Sequence, residues 1–528
     1  MDNANVGYSY HLPTGGWNYK IRNTLSQFSD LFSEFNKYIA PAYHHDRCER
    51  SVPMRIYSMH KGECVMVFFI FFAIYGLGIF IGLAGPSPTM TTSIAASSIL
   101  TNDSTIAEGP YHLHSPALGT RAQRLWLFIE ILTDNNDEEI FDKSFQVSIS
   151  IEGVLENHST TSIVSQNDAP NRTLHLKCKK RKCDEVQVLH VAILKYTHYV
   201  LNVNFYDMKE FHKRYCIEDV IFYFKTYNPG FTQLEMYFRF TFVISTFFAI
   251  LWFLYSLRQY HRDDWTIEQR WILVLMVSLM FANEPTYPLR LLTQNHFATW
   301  MSDTSSTVFL GTMMLSWLEL YHGIRQNNRP FTKFYLIKQF LVLMVVLPAF
   351  VLSYWQKYVS LYDPTYNYRV NGTYPIMKVT FFTAITMYFL YLLILILKAY
   401  SDLRSMPYFN SRLRCTSIML GTVVAVLTIL AVQGWGPAAL QDHWASEPQT
   451  HFDSSAPFMA MIGLFNFQLF VLAYLFSPGG KAVHETTITK DNPAFSMIND
   501  SDEDVIYGSD EESRRPLNSH HRITNEDI

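Results

Sequence analysis

Residues 64–84 read CVMVFFIFFAIYGLGIFIGLA, a run without a single charged side chain. A helix needs about 20 apolar residues to cross the roughly 30 Å hydrocarbon core of a bilayer. Arg55 and Lys61 lie just before this run, and no Lys or Arg follows it until Arg121. The positive-inside rule therefore places the N-terminus in the cytosol and makes this run a signal anchor.

Seven further apolar runs follow after a long polar segment, and short loops join them. The loops predicted to be cytosolic are rich in Lys and Arg, whereas the opposite loops carry only Lys357 and Arg369. Both termini are therefore predicted to be cytosolic. The predicted fold is an α-helical polytopic membrane protein with one N-terminal span and a receptor-like seven-helix bundle. The seven runs are Tyr237–Leu257, Trp271–Leu292, Thr307–Tyr321, Phe334–Tyr354, Ile376–Leu397, Cys415–Trp435 and Ala456–Phe476.

The composition agrees with this class. Hydrophobic residues make up 49% and charged residues 17%, against about 25% charged in soluble globular chains. The net charge of −4 gives no basic excess, so no nucleic-acid partner is predicted. Nucleophile elbows, phosphate-binding loops and H-E-x-x-H helices are missing from the sequence, so neither an enzyme nor a cofactor is predicted.

The segment between the first two spans is predicted to form a small β-sandwich. Phe145, Val147, Ile149 and Ile151 alternate with polar residues, the period of a half-buried strand. The Ser/Thr-rich stretch Thr89–Ser104 is expected to be a mobile stalk before the strands. Further strands are predicted at Leu125–Leu132, Val186–Leu194, Tyr199–Phe205 and Val220–Phe224.

Modification sites follow from this topology. Sequons at Asn102, Asn157, Asn171 and Asn371 fall on the non-cytosolic side, whereas the match at Asn499 is cytosolic and should be silent. Disulfides persist in the same compartment. Cys178, Cys183 and Cys216 lie there, so at most one bridge forms within the chain. A staple from Cys178 to Cys183 around the basic loop Lys179–Lys182 is preferred to zinc ligation, because no second ligand pair is present.

Asn283, Glu284 and Glu319 are polar residues within predicted spans. The first two belong to the string NEPTYPL at 283–289, where the prolines interrupt the helix. Intramembrane carboxylates usually face a bundle interior or a water-filled cavity. One interpretation is a polar cavity that touches a ligand, in which Gln replacements would be tolerated. The other is a buried Glu that hydrogen-bonds a neighbouring helix.

The two ends of the chain are predicted to be cytosolic. Apolar residues from Leu25 to Ile39 recur at helical spacing, typical of an amphipathic helix. The acidic tail from Ser477 onward is predicted to be disordered. Ser501 and Ser509 each precede an acid by three residues and are candidate phosphorylation sites that sorting adaptors would read. The predicted division is 1–63, 64–84, 85–236, 237–476 and 477–528: N-terminal segment, first span, stalk with sandwich, bundle and tail.

Six strings in this sequence carry a family resemblance: YNPGFTQLEMYFRFT (227–241), IEQRW (267–271), YHGIR (321–325), MKVTFF (377–382), LRSMPY (403–408) and DNPAFSMINDSDEDVIYGSDEE (491–512). With these strings the chain resembles the GOLD-domain seven-transmembrane proteins, which include the Wnt carrier Wntless. The resemblance implies a GOLD-like β-sandwich above a receptor-like bundle. It also implies an escort for secreted proteins, lipid-modified ones included, through Golgi, plasma membrane and endosomes. No ligand-contact residue can be matched.

Three classes of function remain open from the sequence. The preferred one is a trafficking receptor for a secreted or lipid-modified protein, with membrane lipids and cytosolic sorting adaptors as further partners. The alternative is a cell-surface seven-helix receptor for an extracellular protein. The D-R-Y-like and N-P-x-x-Y motifs associated with G-protein coupling are missing from the sequence. The last span has Asn466 and Gln468 instead. An enzyme or transporter would depend only on Glu284, Glu319 and the proline breaks.

Overall fold

The computed structural model describes residues 52, 54–100, 106–119, 121–134, 140–155, 157, 159–165, 169–293, 296–324, 332–360, 362–366, 374–403, 407–435 and 452–479. The predicted amphipathic helix and nearly all of the acidic tail lie outside this range. The described helices are α1 (Arg55–Ser58), α2 (Lys61–Ala84), α3 (Lys209–Tyr215), α4 (Pro229–Leu257), α5 (Ile267–Ala282), α6 (Tyr287–Thr293), α7 (His296–Gly323), α8 (Ile337–Val359), α9 (Tyr374–Leu403), α10 (Pro407–Trp435) and α11 (Ala456–Phe476).

Between α2 and α4 the chain forms a β domain, a single antiparallel sheet that curls around one core. The order along the sheet is β1-β10-β3-β7-β6-β4-β9-β2, with β5 beside β4 and β8 beside β3. The strands are β1 (Thr89–Ala95), β2 (Tyr111–His114), β3 (Leu125–Thr133), β4 (Ile140–Val154), β5 (Thr160–Val164), β6 (Arg172–Lys179), β7 (Lys182–Cys183), β8 (Val186–Val191), β9 (His198–Tyr206) and β10 (Ile217–Tyr227).

Aromatic contacts show how the sheet closes. Phe205 on β9 and Phe222 on β10 stack with ring centroids 6.4 Å apart, although four strands separate β9 from β10 in the sheet. Tyr111 on β2 lies 5.1 Å from each of these rings. The prediction of two packed β layers is therefore confirmed. Both layers belong to one curled sheet.

The expected mobile stalk is wrong for its first half. Thr89–Ala95 forms β1 and pairs in register with β10, from Thr89 opposite Tyr227 to Ala95 opposite Ile221. The Ser/Thr content misled the prediction, because β-branched Thr also favours strands. Since α2 leads into β1 and β10 leads into α4, this pairing ties the first span to the second.

Within the described part of the chain, seven helices are long and apolar enough to cross a membrane. They include α2, the combined stretch Ile267–Thr293, and α11. The protein is therefore a multi-pass membrane protein. The predicted span Thr307–Tyr321 lies on α7, which is less apolar because its first half contains Asp303 and several Ser and Thr residues. Even so, α7 packs against α5, α8 and α9 within the bundle.

The first span, α2, packs against α11, the last helix of the bundle. A Cβ atom added at Gly82 of α2 would lie 2.7 Å from the Cα atom of Ala456 in α11. Most of the remaining surface of α2 is exposed large apolar side chains, among them Phe69 and Phe80. Such a surface suits contact with lipid tails.

The bundle has two distinct ends. At the β-domain end, β10 runs directly into α4, whose first turn is capped by the side chain of Asn228 accepting from the Gly230 N–H at 2.9 Å. At the opposite end, the segments that flank the bundle meet, because the Arg55 N–H donates to the Ser477 carbonyl at 2.8 Å. There Arg412 of α10 pairs with Glu268 of α5, and both are buried.

Candidate functional site

The string NEPTYPL forms a sharp break between α5 and α6 at the β-domain end. Helix α5 ends at Ala282, Glu284 adopts a positive φ of 57°, and α6 begins at Tyr287. A positive φ is uncommon for a residue other than glycine. The cost of such a backbone conformation is of order 1–3 kcal/mol, so surrounding contacts must hold it in place.

Those contacts are ion pairs with two arginines. Glu284 Oε1 lies 3.1 Å from Arg239 Nη1, and its Oε2 lies 3.2 Å from Arg290 Nη1. Arg239 also pairs with Glu235, one helical turn earlier on α4, at 2.8 Å. All four side chains are at most 17% exposed. Two carboxylates therefore balance two guanidinium groups, which is the usual condition for burying charge.

Tyr287 sits at the centre of these charges. Its hydroxyl donates to Glu235 Oε2 at 2.6 Å. Its ring centroid lies 5.3 Å from the Arg239 guanidinium carbon and 4.7 Å from that of Arg290. Cations within about 6 Å of an aromatic ring are attracted to its face. The Tyr287 hydroxyl therefore contacts a carboxylate, and the Tyr287 ring contacts two guanidinium groups.

The β domain reaches the same tyrosine. Gln123, which precedes β3, donates through Nε2 to the Tyr287 hydroxyl and to Thr232 Oγ1, each at 3.0 Å. Thr232 on α4 in turn donates to the carbonyl of Arg121 at 3.0 Å. The β domain and the bundle are thus joined by a continuous polar network. The name junction cluster is used below for Gln123, Glu235, Arg239, Glu284, Tyr287 and Arg290.

Two further contacts hold the β domain on the bundle. Between α8 and α9, Asp363 pairs with Arg172 of β6, and the Pro364 carbonyl accepts from the His190 N–H at 2.8 Å. Before α11, the Ser455 hydroxyl donates to the carbonyl of Pro86, just beyond α2. The β domain is therefore held at the junction cluster and at the segment between α8 and α9, and the segment that leads from α2 into β1 is held at Ser455. At the same interface burial raises the pKa of Tyr227.

Asn283 takes part in a separate hydrogen-bonded group within the bundle. Its side chain exchanges two hydrogen bonds with Asn466 of α11, at 2.9 and 3.1 Å. Thr246 of α4 donates to Asn466 Oδ1 at 3.0 Å. All three residues are buried. Asn283 therefore links α4, α5 and α11.

Glu319 lies away from the junction cluster, on α7. It is fully buried, and its Oε2 accepts from the indole N–H of Trp271 at 2.9 Å. Trp271 is in the first turns of α5, near the opposite end of the bundle, whereas Glu284 follows the last turn. Glu284 and Glu319 therefore lie near opposite ends of the bundle and do not line one polar cavity, which was the first of the two interpretations from the sequence.

The bundle does contain a cavity, of about 30 Å³, enough for about two water molecules. Large side chains fill most of the interior and leave this small space between α5, α7, α10 and α11. Asn283, Glu284 and Glu319 lie outside its lining, which includes Trp271, Phe309, Trp317, Gln468 and Leu472.

The predicted modification sites are placed as follows. Asn157 and Asn171 are exposed on the β domain. Cys178 and Cys183 form a disulfide, and the Cys216 thiol is exposed. Asn102, Asn371, Ser501 and Ser509 lie outside the described residues. Glycosylation and phosphorylation at these positions stay predictions.

Comparison with known families divides the chain where β10 meets α4. A family profile described as "Wntless-like, transmembrane domain" matches residues 228–480. A second profile, "TMEM181, GOLD domain", matches residues 109–227. The human protein named Transmembrane protein 181 is 40% identical over 466 residues, covering 88% of this chain and 95% of that protein. The chain belongs to the Wntless-like family of transmembrane proteins.

The family boundary runs through the junction cluster. Gln123 lies in the GOLD domain, whereas the other five members of the cluster lie in the Wntless-like domain. Sequence reasoning found only Glu284 of the cluster. One signal for the others existed, the i,i+4 spacing of Glu235 and Arg239 in the apolar helix α4, which typically pairs opposite charges. The contacts of Tyr287 with Gln123 and with Glu235 come from non-local packing that the sequence does not display, whereas Arg290 pairs with its near neighbour Glu284.

Proposed function

We propose that this protein is a membrane trafficking receptor. It binds a secreted protein, including lipid-modified ones, through its GOLD domain and helical bundle, and it moves between Golgi, endosomes and plasma membrane. Membership of the Wntless-like family supports this class of function. The observation that carries the proposal is the junction cluster, which joins the two modules through buried charges.

Ligand binding across both modules is favoured when their relative position is already fixed. A ligand that contacts two loosely linked modules must fix one relative to the other, and that ordering reduces the affinity. Here Gln123 and Asp363 hold the GOLD domain at two places on the bundle, and Ser455 holds the segment that leads from α2 into β1. A ligand in contact with both modules therefore meets a preorganised surface.

A cell-surface signalling receptor is the second candidate. Such a receptor must present its cytosolic end to an effector. At the opposite end of this bundle, the chain's own segment around α1 occupies part of the surface, with Met54 and Ile56 buried. Tyr57 there accepts from Arg412 Nη1 at 3.3 Å. This covering favours the carrier over the signalling receptor.

The tail supplies the proposed sorting signal. Ser501 and Ser509 within an acidic segment would gain about 1.5–2 negative charges each on phosphorylation, and cytosolic adaptors would read that charge. A deletion that tests this must begin after Gly479, because Ser477 bonds Arg55 and Pro478 bridges to Met54. Removal of residues 480–528 should shift the steady-state location and leave folding intact. An unchanged location would reduce the tail to a solubilising segment.

Photo-crosslinking in cells tests ligand binding. A crosslinking amino acid is placed at Met90 on the edge strand β1 and at Leu289 on α6, both more than half exposed. Leu343 on α8, 53% exposed, serves as the matched control in the bundle. We expect one secreted protein to be captured at the first two positions and not at the third. Capture of the same set of proteins at all three positions would contradict the proposal.

A further inference from the structure

Strand β1 forms one edge of the curled sheet. Among the described strands, β10 is its one neighbour. The register between the two strands runs without a bulge from Thr89 opposite Tyr227 to Ala95 opposite Ile221. The outer side of β1 is therefore a regular row of seven residues with no described strand beside it.

Alternate residues of β1 direct their backbone groups away from β10. The Asn228 N–H donates to the Pro88 carbonyl at 3.0 Å, which makes these two residues a hydrogen-bonded pair of the ladder. Hydrogen-bonded pairs alternate with non-bonded pairs along an antiparallel ladder. In keeping with this alternation, the Tyr227 N–H donates to a carbonyl on the other side of β10. The N–H and C=O groups of Thr91 and Ser93 therefore point outward.

These outward groups are free to bind another backbone. In the described structure the N–H and C=O groups of Thr91 and Ser93 have no hydrogen-bond partner, and both residues are exposed. The flanking outward carbonyls, by contrast, accept from nearby serine hydroxyls, at 3.0 Å for Thr89 and 2.6 Å for Ala95. Two residues thus offer two donors and two acceptors, about 7 Å apart along the strand.

The sequence of β1 lacks the features that usually block an open edge. Natural edges are guarded by charged side chains, proline, bulges or short length. The strand reads TMTTSIA, with neither a charge nor a proline. Its seven residues are more than the length of the shortest edge strands. The edge is therefore open to strand pairing.

Other edges of the described sheet differ from β1. Strand β2 has only four residues. Strand β5 pairs with β4 across a register shift between Ile151 and Glu152. On β8, the His190 N–H donates to the Pro364 carbonyl, so the segment between α8 and α9 covers part of that edge. Among the described strands, β1 is therefore the edge best suited to pairing.

The position of β1 brings both modules within reach of a bound segment. Helix α2 leads into β1, and Thr89 lies opposite Tyr227, the last residue of β10 before α4. Met90, at this end of the strand, is a large apolar residue that is 55% exposed. A segment paired with β1 would therefore extend from the GOLD domain to the start of the bundle.

We propose that β1 binds an extended segment of the secreted ligand by strand addition. In this binding mode, main-chain hydrogen bonds give affinity and alternate side chains give specificity. Thr91 and Ser93 would each exchange two hydrogen bonds with the incoming strand. The inference rests on the proposed function, because the partner is the secreted protein that the receptor carries.

A second copy of this chain is less well matched to the edge. In one membrane, two copies both run β1 away from the bundle, so their β1 strands could lie side by side only in parallel. Parallel pairing is slightly less stable per residue than antiparallel pairing. A segment of a separate protein can take the antiparallel direction.

Proline at Ser93 tests the backbone contact. Ser93→Pro removes an outward N–H and should leave the ladder with β10 intact, because edge strands accept proline where the N–H faces solvent. Ser93→Ala is the matched control, since it changes the side chain and keeps the N–H. Each variant carries the photo-crosslinking amino acid at Leu289, outside β1. We expect Ser93→Pro to capture about tenfold less of the secreted protein than wild type, whereas Ser93→Ala captures it equally.

Two further measurements guard against misfolding of this variant. Thr91→Pro, with Thr91→Ala as its control, repeats the comparison two residues along, and thermal unfolding in detergent verifies that each variant is folded. A crosslinker at Met90 identifies the ligand segment that contacts β1. A synthetic peptide of that segment should compete for wild-type protein, whereas the same peptide N-methylated at consecutive residues, which removes donors on both edges, should not.

Four results would overturn the inference. Equal capture by Ser93→Pro and Ser93→Ala would leave the trafficking function in place and remove strand addition. Equal loss in both would assign the contact to side chains. Crosslinking of Met90 to a second copy of this chain would make β1 a self-association edge. Absence of any captured protein at Leu289 in wild type would contradict the trafficking function, and the inference with it.

Discussion

The side-chain amide of Gln123 donates a hydrogen bond of 3.0 Å to the hydroxyl of Tyr287, across the boundary between the GOLD domain and the bundle. The Tyr287 hydroxyl in turn donates a hydrogen bond of 2.6 Å to Glu235. A residue of the β domain is therefore two hydrogen bonds away from a buried carboxylate of α4. A movement of the GOLD domain would disturb ion pairs whose side chains are at most 17% exposed.

Glu284→Gln should destabilise the protein by roughly 3 kcal/mol, because it leaves Arg239 and Arg290 with one carboxylate instead of two. The cavity interpretation from the sequence had predicted that Gln at position 284 would be tolerated, and the ion pairs change that prediction. Glu284→Lys should be worse, since three buried cations would face one acid. Thermal unfolding in detergent measures both. Glu218→Gln, at an exposed acid of β10, is the control and should shift stability by less than about 0.5 kcal/mol. Equal stability of Glu284→Gln and wild type would contradict the ion-pair network.

Tyr287→Phe should loosen the GOLD domain on the bundle without unfolding either. The change removes the donor to Glu235 and one acceptor for Gln123, at about 1–2 kcal/mol. Amide hydrogen exchange should become faster around residues 121–125 and 287–293. Tyr237→Phe is the matched control, because Tyr237 is 58% exposed and its hydroxyl accepts a hydrogen bond from Gln233 on the same helix at 3.2 Å. Unchanged exchange at both segments would show that Tyr287 does not couple the modules.

Gly82→Ala should separate the first span from the last. The new Cβ would lie 2.7 Å from the Cα atom of Ala456, and backbone cannot move aside as a flexible side chain would. Gly78→Ala on the same helix meets no atom within 4 Å and should be neutral or stabilising by up to about 1 kcal/mol. Thermal unfolding of the two variants gives the comparison. If they behave alike, α2 does not pack on α11 as described.

Asn283 and Asn466 should show energetic coupling. In a double-mutant cycle with Ala at each position, we expect a coupling energy of about 1 kcal/mol, within the range for hydrogen bonds between membrane helices. The reason is the reciprocal amide pair at 2.9 and 3.1 Å. Additive losses in the cycle would mean that the two amides do not bond each other.

Glycosylation tests the predicted orientation. Asn157 and Asn171 are exposed on the GOLD domain and should carry glycans that endoglycosidase removes. Single Asn→Gln variants at these positions should each lose one glycan, while Asn499→Gln should change nothing. A glycan on Asn499 would place the tail outside the cytosol and refute the topology.

Local patterns predicted most of the fold. The alternation from Phe145 to Ile151 predicted β4. Hydropathy predicted the seven described helices that are long and apolar enough to cross a membrane. Both signals depend on neighbouring residues alone. The proline break beside Glu284 was also visible. Its partners were not, since Arg239 comes from another helix and its contact depends on how α4 packs. For the same reason the sequence could not show that Glu319 bonds Trp271 instead of joining Glu284.

The most direct test of the trafficking function is pulse-chase measurement of secretion for the protein captured at Met90 and Leu289. In cells that lack this membrane protein, the captured protein should leave more slowly and accumulate inside. Wild-type protein and the Tyr237→Phe control should restore the rate. Normal secretion in the deficient cells, together with a signalling response that depends on the membrane protein, would contradict the carrier and favour the receptor.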